Sequence, residues 1–486
     1  MKILLAFVAS ILFVLNIQAA KSVINGYAPG AENLTIRFYT WDDFISNREK
    51  LVDSVLIDST GHFTFTFTLY EKQVLMGFFR IMDFTSSEMY IPANKSYSIE
   101  FRPFDYKDPN RIHIPMLSNI ILEYSIKNTD PHDLNQLIGS YNLEMAGFLF
   151  EKSGINNSTS SYSLKRPAKT VVDSFVVAVN EKYKNENNEF FKNYYTYSLA
   201  NVQLNMQSLS KKNLFNQYLY KKPILYDNVA YMEFFGNYFS DFIYGVSNKI
   251  QPYDIELNVN IKPNLQGLVD SLGKDTLLRN EQLREAVLLL NMRDWYTEHT
   301  FKKDSLIKIL NTYAATTKFD IQGKIARNLI FMLTRYNAGS NLPPVTFYSL
   351  DNTIFNNDSL KNKYTYLVFF ATWSHACLAE LLVLDKLYQD WQGRIQFVGV
   401  SMDREPLKLF YFLDEHSFSF PIYHFGTNWV MAESLSLQSY PHGMLIGPDG
   451  KFIRYCTTLP SRGINDYFKQ IMLRAKPSEE DLTPGQ

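Results

Sequence analysis

The stretch LVFFATWSHACLAELLVLDKL, Leu367 to Leu387, decides how the last part of the chain folds. Leu367 to Phe370 is a short apolar run of the kind that makes a buried strand. Ala371-Thr372-Trp373 leads out of it into a polar turn, and a helix follows whose first turn carries Cys377. Ser374 is a favoured N-cap residue, because its hydroxyl can accept from a free backbone N–H of the first turn. A cysteine at such a helix start is held near unpaired N–H groups and the positive end of the helix dipole, which favour thiolate. A serine hydroxyl titrates far above neutral pH and forms no disulfide. The turn therefore offers one sulfur, Cys377, where a dithiol would need two.

Working outward, the Gly/Pro-rich NAGSNLPPV, Asn337 to Val345, marks a domain boundary. Beyond it strands and helices alternate. The pattern predicts strands at 364–370, 395–400, 420–425, 443–446 and 451–456, with helices from Cys377, over 406–416, over 429–435 and from Gly463. Pro448-Asp449-Gly450 supplies a turn. Such alternation implies a sheet covered by helices on both faces.

Three segments in order, LPPVTFYSLDN, FFATWSHACLAEL and SYPHGMLIGPDGKFI, resemble the entry hairpin, redox motif and cis-proline strand of the thioredoxin superfamily. The nearest likeness is to extracytoplasmic thioredoxin-like thiol-disulfide oxidoreductases and to peroxiredoxins, and it covers residues 339–475. It implies that Pro441 is a cis-proline facing the site, that Trp373 is the flanking aromatic, and that Cys377 is the second motif cysteine. Ser374 stands where the attacking cysteine would be, giving a degenerate SxxC. Glu380 matches an acidic residue of these reductases; the alternative is an exposed carboxylate suited to a first helical turn. His375 and Glu380 are the groups expected to tune the Cys377 proton, and Trp373, Tyr440 and Pro441 the polypeptide-binding rim. A serine-hydrolase reading of Ser374 with His375 or His442 is weak without a base and oxyanion hole. The peroxiredoxin likeness lacks two features, since Phe370 replaces a proline and Pro441 lies where the activating arginine belongs. Only one other cysteine exists, Cys456. The implied topology brings its strand end to the motif side, which leaves a Cys377–Cys456 disulfide and two independent buried thiols as alternatives, the second favoured.

The preceding 338 residues read differently. GHFTFTFTLY alternates Phe63, Phe65, Phe67 and Leu69 with threonines, and NLTIRFY and KSYSIEF repeat that period, so 22–105 reads as an antiparallel β-sandwich. Helical spacing takes over across 110–338, with Val172, Phe175, Val176, Val179 and Tyr183 on one stripe and Leu306, Ile309, Leu310 and Tyr313 on another. The aromatic block YDNVAYMEFFGNYFSDFIYGV is read as core rather than as a ligand box. The N-terminal MKILLAFVASILFVLNIQAA has the charge, apolar run and small residues of a secretory leader, 1–20, with no lipobox cysteine. The last residues, 476–486, read as a tail.

The fold class expected is therefore multidomain: an N-terminal β-sandwich, a central all-α region and a C-terminal α/β thioredoxin-like fold. A formal net charge of -1 over 486 residues provides no basic field for phosphates, so nucleic acid is excluded as a partner. No stable membrane insertion is expected once the leader is removed, and no cofactor or metal is called for. The expected protein is periplasmic or otherwise extracytoplasmic and belongs to the thiol-disulfide redox family, with weak or absent dithiol exchange. The rivals are a non-catalytic module that binds envelope or secreted polypeptides at the cis-proline rim, and a single-cysteine peroxidase.

Overall fold

A computed structural model of the chain describes residues 19–108, 111–115, 120–127, 129–152 and 167–475. The expected leader lies outside the described residues except for Ala19 and Ala20, which open the first strand opposite Tyr70 and Leu69. Residues 153–166 and the 476–486 tail also lie outside them.

The N-terminal region contains β1 (Ala19–Tyr27), β2 (Thr35–Trp41), β3 (Glu49–Leu56), β4 (His62–Tyr70), β5 (Val74–Ile81), β6 (Phe84–Pro92), β7 (Ser96–Phe101), β8 (Ile121–Leu122) and β9 (Tyr124–Lys127). They form two sheets, in the orders β4-β1-β7-β9 and β3-β2-β5-β6-β8. The alternation of β4 sends Phe63, Phe65, Phe67 and Leu69 inward and the threonines outward. Phe38 and Phe79 of the facing sheet meet them in one aromatic core. Each such ring contributes about 1.5–3 kcal/mol by leaving water, so the period-two pattern is what holds the sandwich closed. The sequence-based end at residue 105 is corrected, because β8 pairs with β6 and β9 with β7. Those strands are too short to display a period, which is why the stretch reads as the start of the helical region.

The all-α region accordingly begins at the helix Leu134–Lys152 and runs to Asp320–Thr334. Val172, Val179 and Tyr183 are buried as their spacing requires, and so are Leu306, Ile309, Leu310 and Tyr313. The aromatic block is core: Tyr231, Phe234, Phe235, Tyr238 and Phe239 are enclosed. Ile45, from the turn between β2 and β3, enters the same core. Around it Asn328 Nδ2 donates to Asp42 and Asp43, both at 2.8 Å, and fastens the sandwich to the last helix.

The C-terminal region contains β10 (Thr346–Tyr348), β11 (Ile354–Asn356), β12 (Tyr364–Phe370), β13 (Ile395–Ser401), β14 (Ile422–His424), β15 (His442–Ile446) and β16 (Phe452–Thr457). The order is β11-β10-β14-β13-β12-β15-β16, with β12, β13 and β14 parallel and β15 antiparallel to β12. Leu367 and Phe369 pack on one face of the sheet, and Tyr366, Val368 and Phe370 on the other. Helices His375–Trp391, Pro406–Glu415, Trp429–Leu435 and Ile464–Ala475 cover the two faces. Among the described residues no helix is long and apolar enough to cross a membrane.

Candidate functional site

Strands β12 and β13 run parallel with Phe370 beside Ser401, so the residues following each strand emerge side by side. From β12 comes the turn Ala371 to Ser374, and from β13 comes Asp403. Asp403 Oδ2 accepts from the Thr372 N–H at 3.0 Å and from Ser401 Oγ at 2.6 Å, which pins the turn to the neighbouring strand end. Ser374 is the N-cap of the helix His375–Trp391, and its Oγ accepts from the Cys377 N–H at 3.3 Å. The capping role expected from sequence is the role its hydroxyl performs.

Cys377 is buried, with 1% of its surface exposed, among Val368, Phe370, Leu381 and Leu384. Burial pushes its thiol above the ordinary value, and the negative charges of Asp403 and Glu380 act in the same direction; hydrogen bonds from Ser374 and the Ala371 backbone oppose them and lose. Removing the sulfur from water thus outweighs the favourable N–H groups of the helix start and disfavours thiolate.

The other predicted residues are spread further apart than the motif suggested. His375 is exposed at the first helical position, and among the described residues no hydrogen bond or ion pair joins it to Cys377. Glu380 is buried, so the exposed-carboxylate alternative is corrected. It accepts from the Ser461 N–H at 2.9 Å and from Ser461 Oγ, tying its helix to the turn Pro460–Arg462. A carboxylate serving that turn is structural first, although its charge does act on Cys377. Trp373 is exposed. The Tyr440–Pro441 bond is cis, as the resemblance implied. His442 is buried with Nε2 3.0 Å from the Tyr455 carbonyl, which removes it as a general base for Ser374. The cysteines are both free, Cys377 buried and Cys456 exposed; the disulfide is not formed, and Cys456 is corrected from buried to exposed.

Tyr440 departs most from expectation. Its ring does not stand free on a rim but packs into both cores of the C-terminal domain and lies 6.0 Å, centroid to centroid, from the ring of His113. His113 belongs to the segment after β7 and also packs edge-on against Trp429 at 5.3 Å. It is held there by Asp83 Oδ2, 2.7 Å from its Nδ1. Arg404, the residue after Asp403, donates to both oxygens of Asp83 at 3.1 and 2.6 Å and to the Arg111 carbonyl at 2.5 Å. Burial works against charge on Asp83, yet His113 and Arg404 prevail and hold its carboxyl below the usual range. A second tie joins Arg37 to Glu433 at 2.9 Å, with Tyr39 donating to the same carboxylate. The β-sandwich thus covers the tyrosine that precedes the cis-proline.

Sequence reasoning singled out none of Asp83, His113, Asp403 and Arg404. Asp403 had a signal, since carboxyl ends of adjacent parallel strands gather at one edge and such edges carry sites in open α/β sheets. The others had none, because Asp83 and His113 are 30 positions apart with no shared period, and Arg404 is 321 positions from Asp83.

Residues 362–452 match the Thioredoxin-like family, and the fold of the C-terminal domain is thioredoxin-like. The chain is similar to the thiol-disulfide oxidoreductase ResA of Oceanobacillus iheyensis, 28% identical over 103 residues that make up 21% of this chain and 53% of that protein. It is also similar to ResA of Bacillus subtilis, 24% identical over 143 residues, 29% of this chain and 77% of that protein. It thus spans about half the length of the first relative. Among solved structures, the thioredoxin domain of a thiol-disulfide oxidoreductase from Bacteroides vulgatus aligns at 22% identity with a TM-score of 0.25, covering 29% of this chain and 98% of that one.

Proposed function

We propose that this chain is an extracytoplasmic thioredoxin-like protein in which dithiol exchange is silent, so that the C-terminal domain serves as a binding and scaffolding module. The observation that carries this reading is the state of Cys377. It is 1% exposed, its thiol is held protonated by burial, and the residue that would attack a disulfide first is a capping serine. Without a first mixed disulfide a recessed second sulfur has no route to a substrate. The same burial counts against a single-cysteine peroxidase, which needs an exposed thiolate. The N-terminal leader read in the sequence supports export.

Turbidimetric insulin reduction with dithiothreitol as the electron source tests the proposal. Wild type is expected to stay at the uncatalysed rate, and Ser374→Cys, which restores a CxxC at a helix start, is expected to exceed it clearly. Turnover by wild type at a rate comparable with Ser374→Cys would sink the proposal.

A further inference from the structure

The sandwich, the end of the helix Asp320–Thr334 and the C-terminal domain meet around a cavity of about 1270 Å³. That is more than the roughly 300–1,000 Å³ of sites that hold one small molecule, so the space suits a length of polypeptide. Its walls come from all three regions: Arg48 and Leu51 from the sandwich, Phe331 and Arg335 at the helix end, and Leu437 and Tyr440 from the C-terminal domain. On one side it opens at β3, the outermost strand of its sheet, where Leu51 is 36% exposed.

The carboxylates in these walls are already answered. Glu49 accepts two hydrogen bonds from Arg80, at 2.8 and 3.0 Å, Asp83 is held by Arg404, and Glu433 by Arg37 at 2.9 Å. Two arginines are not answered in the same way. Arg48 donates from Nη1 to Asn328 Oδ1 at 2.8 Å, and among the described residues neither it nor Arg335 meets a carboxylate. Both are half-buried, and both guanidinium groups approach the Phe331 ring, at 4.2 and 5.9 Å from its centroid. Two like charges gathered at one ring repel each other, and an anion beside them offsets that repulsion. Lys451 adds a third cation to the walls, tied only loosely to Asp449 at 3.9 Å.

We infer that this three-domain cavity receives an extended acidic segment of another polypeptide, whose carboxylates meet Arg48 and Arg335 and whose apolar residues lie on Met332, Leu342 and Leu437. The partner of the binding module proposed above is then an acidic chain. That assignment rests on the reading of the protein as a binding module, but it is tested by peptide affinity, so it can fail while dithiol exchange remains silent.

The test is fluorescence anisotropy of two dye-labelled octapeptides, alternating Glu-Val and alternating Lys-Val, titrated with the mature chain. Glu-Val is expected to bind saturably at one site and Lys-Val not at all. Arg335→Gln removes no side-chain hydrogen bond or ion pair among the described residues, so it should melt close to wild type and bind Glu-Val about tenfold more weakly. Arg48→Gln should weaken it similarly, whereas Lys469→Gln, on the last helix, should leave it unchanged. No saturable Glu-Val binding to wild type, or equal binding by wild type and Arg335→Gln, would overturn the assignment. Displacement by citrate at the same concentration would overturn the polypeptide class in favour of a compact anion. A dimer in sedimentation velocity that excludes the peptide would overturn it in favour of a second copy of this chain.

Discussion

Asp403 and Arg404 are neighbours in sequence, yet they serve two regions with opposite character. Asp403 holds the motif turn, where the geometry of a redox site persists around a buried, protonated sulfur. Arg404 enters the seam with the sandwich, where its side chain and that of Asp83, each 8% exposed, meet as an ion pair. At the motif the one sulfur is buried with its thiol pushed up, while a buried ion pair sits at the domain junction.

The sharpest way to break that comparison is at the seam. Asp83→Ala leaves the Arg404 guanidinium buried without a carboxylate and is expected to cost about 3–5 kcal/mol. Urea denaturation would measure it, and the double variant Asp83→Leu/Arg404→Leu should be less damaged than Asp83→Ala, because no lone charge remains. A double variant as unstable as the single one would show that the pair does more than cancel its own desolvation.

The motif predicts a large difference between the two thiols. In folded protein at pH 7, a small alkylating reagent should modify exposed Cys456 at least about a hundredfold faster than Cys377, since the buried sulfur reacts only after local opening. Denaturant should remove the difference. Peptide mapping of the alkylated sites checks it, and rapid native labelling of Cys377 would restore the reactive-thiol reading.

Acid separates the regions in a gentler way. Burial lowers the pKa values of His424 and His442 in the C-terminal domain, so the unfolded chain takes up their protons first. Their contribution is intact above about pH 6.5 and declines as pH falls below it. The Asp83 carboxyl is also lowered, and its contribution holds down to about pH 4 and is lost below that. Melting temperature against pH should therefore fall in two stages, with the lower stage reduced in Asp83→Ala but still present, because Asp42, Asp351 and Glu186 are also held low.

The smallest expected effect belongs to Ser374. Ser374→Ala deletes the cap on the Cys377 N–H and should cost about 1 kcal/mol, leaving insulin reduction unchanged. A loss of several kcal/mol would mean that the hydroxyl does more than cap.

What the sequence determined by itself is local. The period of two in β4, the helical stripe of 303–316, the cap at Ser374 and the strand-helix order after Asn337 are each written within about fifteen residues, because backbone geometry and capping act over one or two turns. The thioredoxin-like frame, with Pro441 as its cis-proline, came instead from the resemblance of three segments in order to a known superfamily. What only the tertiary structure decided is which side chains face each other across the domains. Glu380 finds Ser461, Tyr440 goes under His113, and Asp83 meets Arg404, 321 positions away. No periodicity encodes such pairs, since a charged residue reads as exposed until a distant partner makes its burial affordable. Cys377 shows the same limit at the site itself: its helix position was legible, but the burial that keeps it a thiol depends on the packing of a whole face of the sheet.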